Sequence, residues 1–108
     1  MRRLVLSTNE VPLQAEGEIV LRRVSHVEAR LLLIAFHREG NQIVSAVSDE
    51  RTAEIMTIVL DFVVQHGFQG HVPLKKGDMA LIFPYEEVPP LEEFLKQWDF
   101  KWWLAEVG

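Results

Sequence analysis

Cysteine is absent from all 108 residues. That excludes disulfides, thiolate nucleophiles and cysteine metal ligands, and makes the cytoplasm the default location. Long apolar runs are missing as well: the longest, Leu31 to Phe36, falls far short of the roughly 20 residues of a membrane span, so the chain reads as soluble. After Arg2-Arg3 only Leu4-Val5-Leu6 precede Ser7-Thr8-Asn9-Glu10, too short an apolar region for a signal peptide. Positive charge is in deficit. A net charge of −5 has the wrong sign for a protein that tracks long nucleic acid, although a small anionic ligand in a locally basic pocket is compatible with it. No Walker loop, dinucleotide fingerprint, H-E-x-x-H or nucleophile elbow occurs, nor any repeat. His26, His37, His66 and His71 share no ligand-like spacing, so no metal or cofactor is expected and the histidines read as surface or cap residues.

What is present suits one domain over residues 1–108: 48% hydrophobic and 25% charged residues, with no bias towards disorder. Arg3 to Ser7 and Glu18 to Val24 read as strands, with Ile19 and Leu21 on one face of the second. Ser25 with Glu28 three residues on is a capping box, and it predicts a first helix over Ser25 to Glu39, closed by Gly40. Gln42 to Val47 is a β-branched strand. Ser48-Asp49-Glu50 then suit a helix N-terminus, and Ile55, Ile58, Val59, Phe62 and Val63 carry helical spacing to about Gln65-His66-Gly67.

Gly70 to Leu74 reads as a strand, Lys75 to Asp78 as a turn, and Met79 to Phe83, apolar throughout, as a central strand covered on both faces. Pro89-Pro90 opens a short helix through Trp98. A last strand, Phe100 to Val107, puts Phe100, Trp102 and Leu104 on one face and Lys101, Trp103 and Ala105 on the other. The order β-β-α-β-α-β-β-α-β predicts a mixed sheet with flanking helices, an α/β (α+β) domain. Arg2-Arg3, Arg22-Arg23 and Lys75-Lys76 read as solvated strand ends and a turn.

Three strings, Leu4-Val5-Leu6-Ser7-Thr8-Asn9, Ser45-Ala46-Val47 with Glu50 and Thr52-Ala53-Glu54, and Val72 through Phe83, resemble the small virus-encoded type III anti-CRISPR and CRISPR-associated ring nucleases. The resemblance implies a homodimer that binds cyclic tetra-adenylate across its two-fold axis and cuts it without metal. It implies ligand contacts at Ser7, Thr8, Asn9, Ser45, Ser48 and Arg51. In that family the middle string reads S-A-V-G-H-E-x-T-A, with a catalytic histidine; here Ser48-Asp49 replace Gly-His. The family's arginine near L-P-E-G also has no counterpart in Glu86-Glu87-Val88-Pro89-Pro90.

The first change matters chemically. A leaving 5′-oxygen needs a proton from an acid with a pKa near the working pH, which histidine offers near 6.5 and aspartate, near 3.9, does not. A helix N-terminus would stabilise the aspartate anion further. Asp49 therefore occupies the catalytic position but reads first as a helix cap, and whether the chain is an enzyme stays open. Two functions follow: a cyclic oligonucleotide binder with weakened or lost catalysis, or a non-catalytic dimeric protein-interaction module, to which Trp98, Trp102 and Trp103 would contribute.

Overall fold

Leu4, Val5 and Leu6 have essentially no solvent contact, and the strand that carries them, β1 (Arg3–Thr8), runs through the interior of the sheet. The chain continues with β2 (Gln14–Ala15), β3 (Ile19–Ser25), α1 (His26–Arg38), β4 (Gln42–Ala46), α2 (Glu50–Leu60), β5 (Pro73–Leu74), β6 (Met79–Phe83), α3 (Leu91–Phe94) and β7 (Lys101–Val107). This computed structural model describes residues 2–9, 14–85, 90–94, 96 and 100–108; Pro12, Glu86-Glu87-Val88-Pro89 and Trp98, on which expectations fall, lie outside them.

The five-stranded sheet has the order β3-β7-β6-β1-β4, and a small second sheet pairs β2 with β5. β4 and β6 both run parallel to β1, while β7 is antiparallel to β6 and to β3. The mixed sheet with helices is thus the expected architecture.

All three helices pack on one face. Ala29, Leu33 and Phe36 of α1, Ala53, Met56, Val59 and Leu60 of α2, and Phe94 of α3 meet Leu4, Leu6, Leu81, Phe83, Trp102 and Leu104 of the sheet. Their spacing along α1 is the three-to-four-residue repeat that puts one stripe against a core. The opposite face, with Val5, Ala46, Ala80, Ile82, Ala105 and Val107, is covered by Leu74, Ala15, Phe68 and Val72. β6 is therefore buried on both sides, as its unbroken apolarity requires.

The cap of α1 forms as the sequence indicates: Glu28 N donates to Ser25 Oγ at 3.1 Å, and Gly40 takes a positive φ of 73° just past the end. The second helix stops earlier than its hydrophobic spacing predicts, at Leu60. Thr57 Oγ1 donates to Ala53 O at 2.8 Å and accepts from Val64 N at 2.9 Å, while Asp61 turns left-handed at φ 52°. A side-chain hydroxyl thus takes the amide that another helical turn would have used, and Phe62 and Val63 leave the helix. Val63 ends 72% exposed.

Two further differences concern strands. The strand expected over Gly70 to Leu74 shrinks to Pro73–Leu74, since among the described residues its ladder is the short one with β2, a strand too brief to show in the sequence. Along the edge strand β3, Ile19, Leu21 and Arg23 share a face, yet Leu21 is 54% exposed. One basic pair also departs from the solvated reading: Arg3 is an ion-pair partner of Asp78, which is 3% exposed.

Candidate functional site

Parallel pairing brings the carboxyl ends of β1, β4 and β6 to one end of the sheet, with Ser7 opposite both Ala46 and Ile82 and Thr8 opposite Phe83. One described segment changes face there. After α2, on the helix face, residues 64–68 pass from the helix-side core at Val64 to the opposite core at Phe68. They are tied down by Gly67 N donating to Ser48 O and Phe68 N to Val47 O, both at 3.1 Å. The carboxyl end of parallel strands is the general place for ligands in α/β sheets.

The residues singled out in the sequence divide at this end. Ser7 and Thr8 are buried, Ser7 Oγ lying 3.4 Å from Thr8 O, while Asn9 is exposed and its Nδ2 reaches Pro84 O at 3.5 Å, linking the ends of β1 and β6. Ser48 and Asp49 are exposed beside them. Ser45 is committed elsewhere: its Oγ accepts from Gln65 N at 3.3 Å. Arg51 lines a separate concavity of about 390 Å³ with Glu54, Ile55, Ile58 and the start of α3, where Glu92 adds a second acid.

Asp49 is the N-cap of α2. Its Oδ2 accepts from Thr52 N at 2.9 Å and from Thr52 Oγ1 at 2.8 Å. These two hydrogen bonds, with smaller help from the charges of Arg51 and His66, hold the carboxyl below the usual aspartate range. A group so placed carries its negative charge at neutral pH and has no proton to give a leaving oxygen. Asp49→Ala is expected to cost about 1 kcal/mol in urea unfolding and Asp49→Asn only a few tenths, because asparagine caps as well as aspartate. Equal losses in both would show that the charge, and not the cap, is what α2 needs.

Histidine placement corrects the sequence reading. His37, His66 and His71 are exposed, but His26, the first residue of α1, is buried. Its Nδ1 accepts from Trp102 Nε1 at 3.1 Å, which leaves Nε2 to carry the proton, and the ring hydrogen-bonds to the Val59 backbone. Phe100 lies against it with ring centroids 4.7 Å apart. Burial, then the nearby Arg30 charge, hold its pKa below the ordinary histidine value, the bond to Val59 opposing them. Nothing in the spacing of residue 26 could reveal this, since the partner lies at residue 102.

Beside the shared sheet end lies another concavity, of about 350 Å³, lined by Arg23, Pro84, Tyr85, Phe100 and Lys101. Fold and site together define a small α+β domain with a helix-backed mixed sheet and polar residues at the carboxyl end of its parallel strands. The model of the STIV B116-like family matches residues 5–104, and the chain belongs to that family. Among solved structures it is similar to B116 of Sulfolobus turreted icosahedral virus, with a TM-score of 0.72, 14% identity, and coverage of 96% of this chain and 98% of that one. No curated protein matches the sequence.

These matches correct the family assignment drawn from the three sequence strings: what they identify is the STIV B116-like family, and the anti-CRISPR ring nuclease assignment gives way to it. The physical reason lies in what the strings encode. Leu4 to Asn9 is a central strand and its end, Ser45 to Glu54 a strand leading into a capped helix, and Val72 to Phe83 a turn into a buried strand. Each is a requirement of the fold before it is a signature of chemistry.

Proposed function

We propose that this protein is a binding module for a small phosphate-bearing ligand of the cyclic oligonucleotide class, held at the carboxyl end of the parallel strands, with phosphodiester cleavage weak or lost. The observation that carries this reading is the convergence of the carboxyl ends of β1, β4 and β6 on one end of the sheet, where Asn9 and Ser48 stand exposed. The cap at Asp49 suits binding without cleavage, because its carboxylate is occupied with Thr52 and has no proton to give. A chain without cysteine in which, among the described residues, no helix is long and apolar enough to cross a membrane suits a cytoplasmic role.

A second reading, a dimeric protein-interaction module, rests on a different feature. Val27, Leu31 and Ile34 lie one turn apart along α1 and are 67%, 61% and 42% exposed, an apolar stripe of the kind that self-associating surfaces use. One experiment separates the two: incubation with cyclic oligoadenylates of several ring sizes, following binding by calorimetry and product by chromatography, with the mass in solution measured by light scattering. The proposal expects binding of at least one ring size with little or no product. Rapid turnover would make the chain an enzyme. Absence of binding to every ring, with a mass of twice 12.5 kDa, would favour the interaction module.

A further inference from the structure

The concavity lined by Arg23, Pro84, Tyr85, Phe100 and Lys101 is unusual in its charges. Arg23 and Lys101 stand diagonally across the β3–β7 ladder on one face, since Arg23 pairs with Trp103 and Ser25 with Lys101. Among the described residues neither cation is in an ion pair, whereas the adjacent Arg22, on the opposite face, is paired with Glu28 at 2.8 Å. Like charges on one face of a ladder repel, less across the diagonal than when directly opposite. A shared anion would relieve that repulsion.

The walls add a second preference. Arg23 is held over the Trp103 ring, its guanidinium carbon 4.5 Å from the centroid, which fixes the cation at the rim by cation–π attraction. Half-buried Tyr85, backed by the buried Phe100 with centroids 6.1 Å apart, supplies aromatic surface on the other side, and Pro84 supplies a rigid apolar one. Flat rings stack on such surfaces while a phosphate is held by the cations. At about 350 Å³ the space falls within the roughly 300–1,000 Å³ range of small-molecule sites.

We infer that this concavity is a subsite for one nucleobase–phosphate unit, with Arg23 and Lys101 holding the phosphate and Tyr85 and Pro84 flanking the base. The inference deepens the binding proposal by naming a second set of contacts at the same end of the sheet, and it rests on that reading for the larger ligand only. Its test uses adenosine 5′-monophosphate, adenosine, inorganic phosphate and cyclic tetra-adenylate against wild type, Arg23→Gln/Lys101→Gln and Arg22→Gln, by calorimetry and by the shift of the Trp103 indole signal in NMR. Thermal unfolding of each variant confirms that it is folded; both replaced side chains are exposed, so midpoints within a few degrees of wild type are expected.

The expected result is that wild type binds the monophosphate more tightly than adenosine or phosphate alone, with a shift at Trp103. The double variant should bind it at least tenfold more weakly, each lost charge-assisted bond accounting for a comparable factor, and Arg22→Gln should match wild type. Equal affinity of wild type and double variant for the monophosphate overturns the inference, as does phosphate binding as tightly as the monophosphate. Cyclic tetra-adenylate bound equally by both overturns the subsite while leaving the binding reading intact. Monophosphate bound without any cyclic ring supports the subsite and overturns that reading. No binding of any probe overturns both.

Discussion

Replacing Arg3 by alanine is expected to lower the unfolding free energy by about 1–3 kcal/mol, between a surface bridge and a fully buried pair, because Asp78 is buried while the Arg3 side chain is 23% exposed. Asp78 is 3% exposed, and its Oδ2 accepts from Arg3 Nη2 at 2.7 Å, Arg3 Nε at 3.1 Å and Lys75 N at 2.8 Å, while Oδ1 accepts from Arg3 N at 3.2 Å. Arg3 Nη2 also reaches Pro73 O at 2.6 Å. One side chain thus joins the start of β1, the turn before β6 and the small β5 strand. Without the guanidinium, the carboxylate keeps two backbone amides in a site that otherwise disfavours charge.

The pH dependence follows with a definite sign. Burial pushes the Asp78 pKa up, but the Arg3 and Lys75 bonds and the Arg3 charge more than offset it, so the carboxyl ends below its ordinary value. Its contribution is complete above the unfolded value near 3.9 and is lost as pH falls through the lower folded value. In Arg3→Ala the loss should begin at higher pH. Urea unfolding of both proteins at pH 7, pH 4 and stepwise below it checks both statements, and a change below about 1 kcal/mol at pH 7 would place the pair with weak surface bridges instead.

Acidification should weaken the fold earlier, through His26. Its folded pKa is below the ordinary value, so the unfolded chain takes up the proton first: stability is full above about pH 6.5 and falls as pH drops towards the folded value, by at most about 1.4 kcal/mol per pH unit. A proton on Nδ1 would turn the acceptor of the Trp102 indole into a second donor. Around the ring, Arg30 is the charged neighbour on α1, whereas β7 presents Trp102, the preceding loop Phe100, and α2 the Val59 backbone. Since none of these offers an anion, the charge would stay uncompensated. Glutamine at this position can both accept and donate without titrating, so His26→Gln should flatten the profile between pH 7 and 5 while lowering stability at pH 7 only modestly. A wild-type slope that survives in His26→Gln would assign it to another group.

Much of the fold was legible in the chain itself because it depends on local periodicity and local caps. The Ser25–Glu28 box, the Ala29–Leu33–Phe36 stripe, the unbroken Met79–Phe83 run and the alternation around Trp102 each declare an element, and a face, within a few residues. The cap at Asp49 belongs to the same class: its acceptor and its donor, Thr52, are three residues apart. These are short-range preferences that the chain expresses whatever its remaining contacts.

Tertiary structure alone decided the contacts made across long sequence separation. Arg3 finds Asp78 and His26 finds Trp102, and closer along the chain Thr57 takes the Val64 amide to end α2 against its own hydrophobic spacing. The two-residue β2 forms only because Pro73–Leu74 lies beside it, and Arg23 joins Lys101 only because β3 pairs with β7. Polar and charged groups have no period, and the free energy of pairing them depends on burial that many distant residues create together. That is why the element order could be read along the chain, while the partners of its buried charges and the cationic concavity at the sheet end came only with the fold.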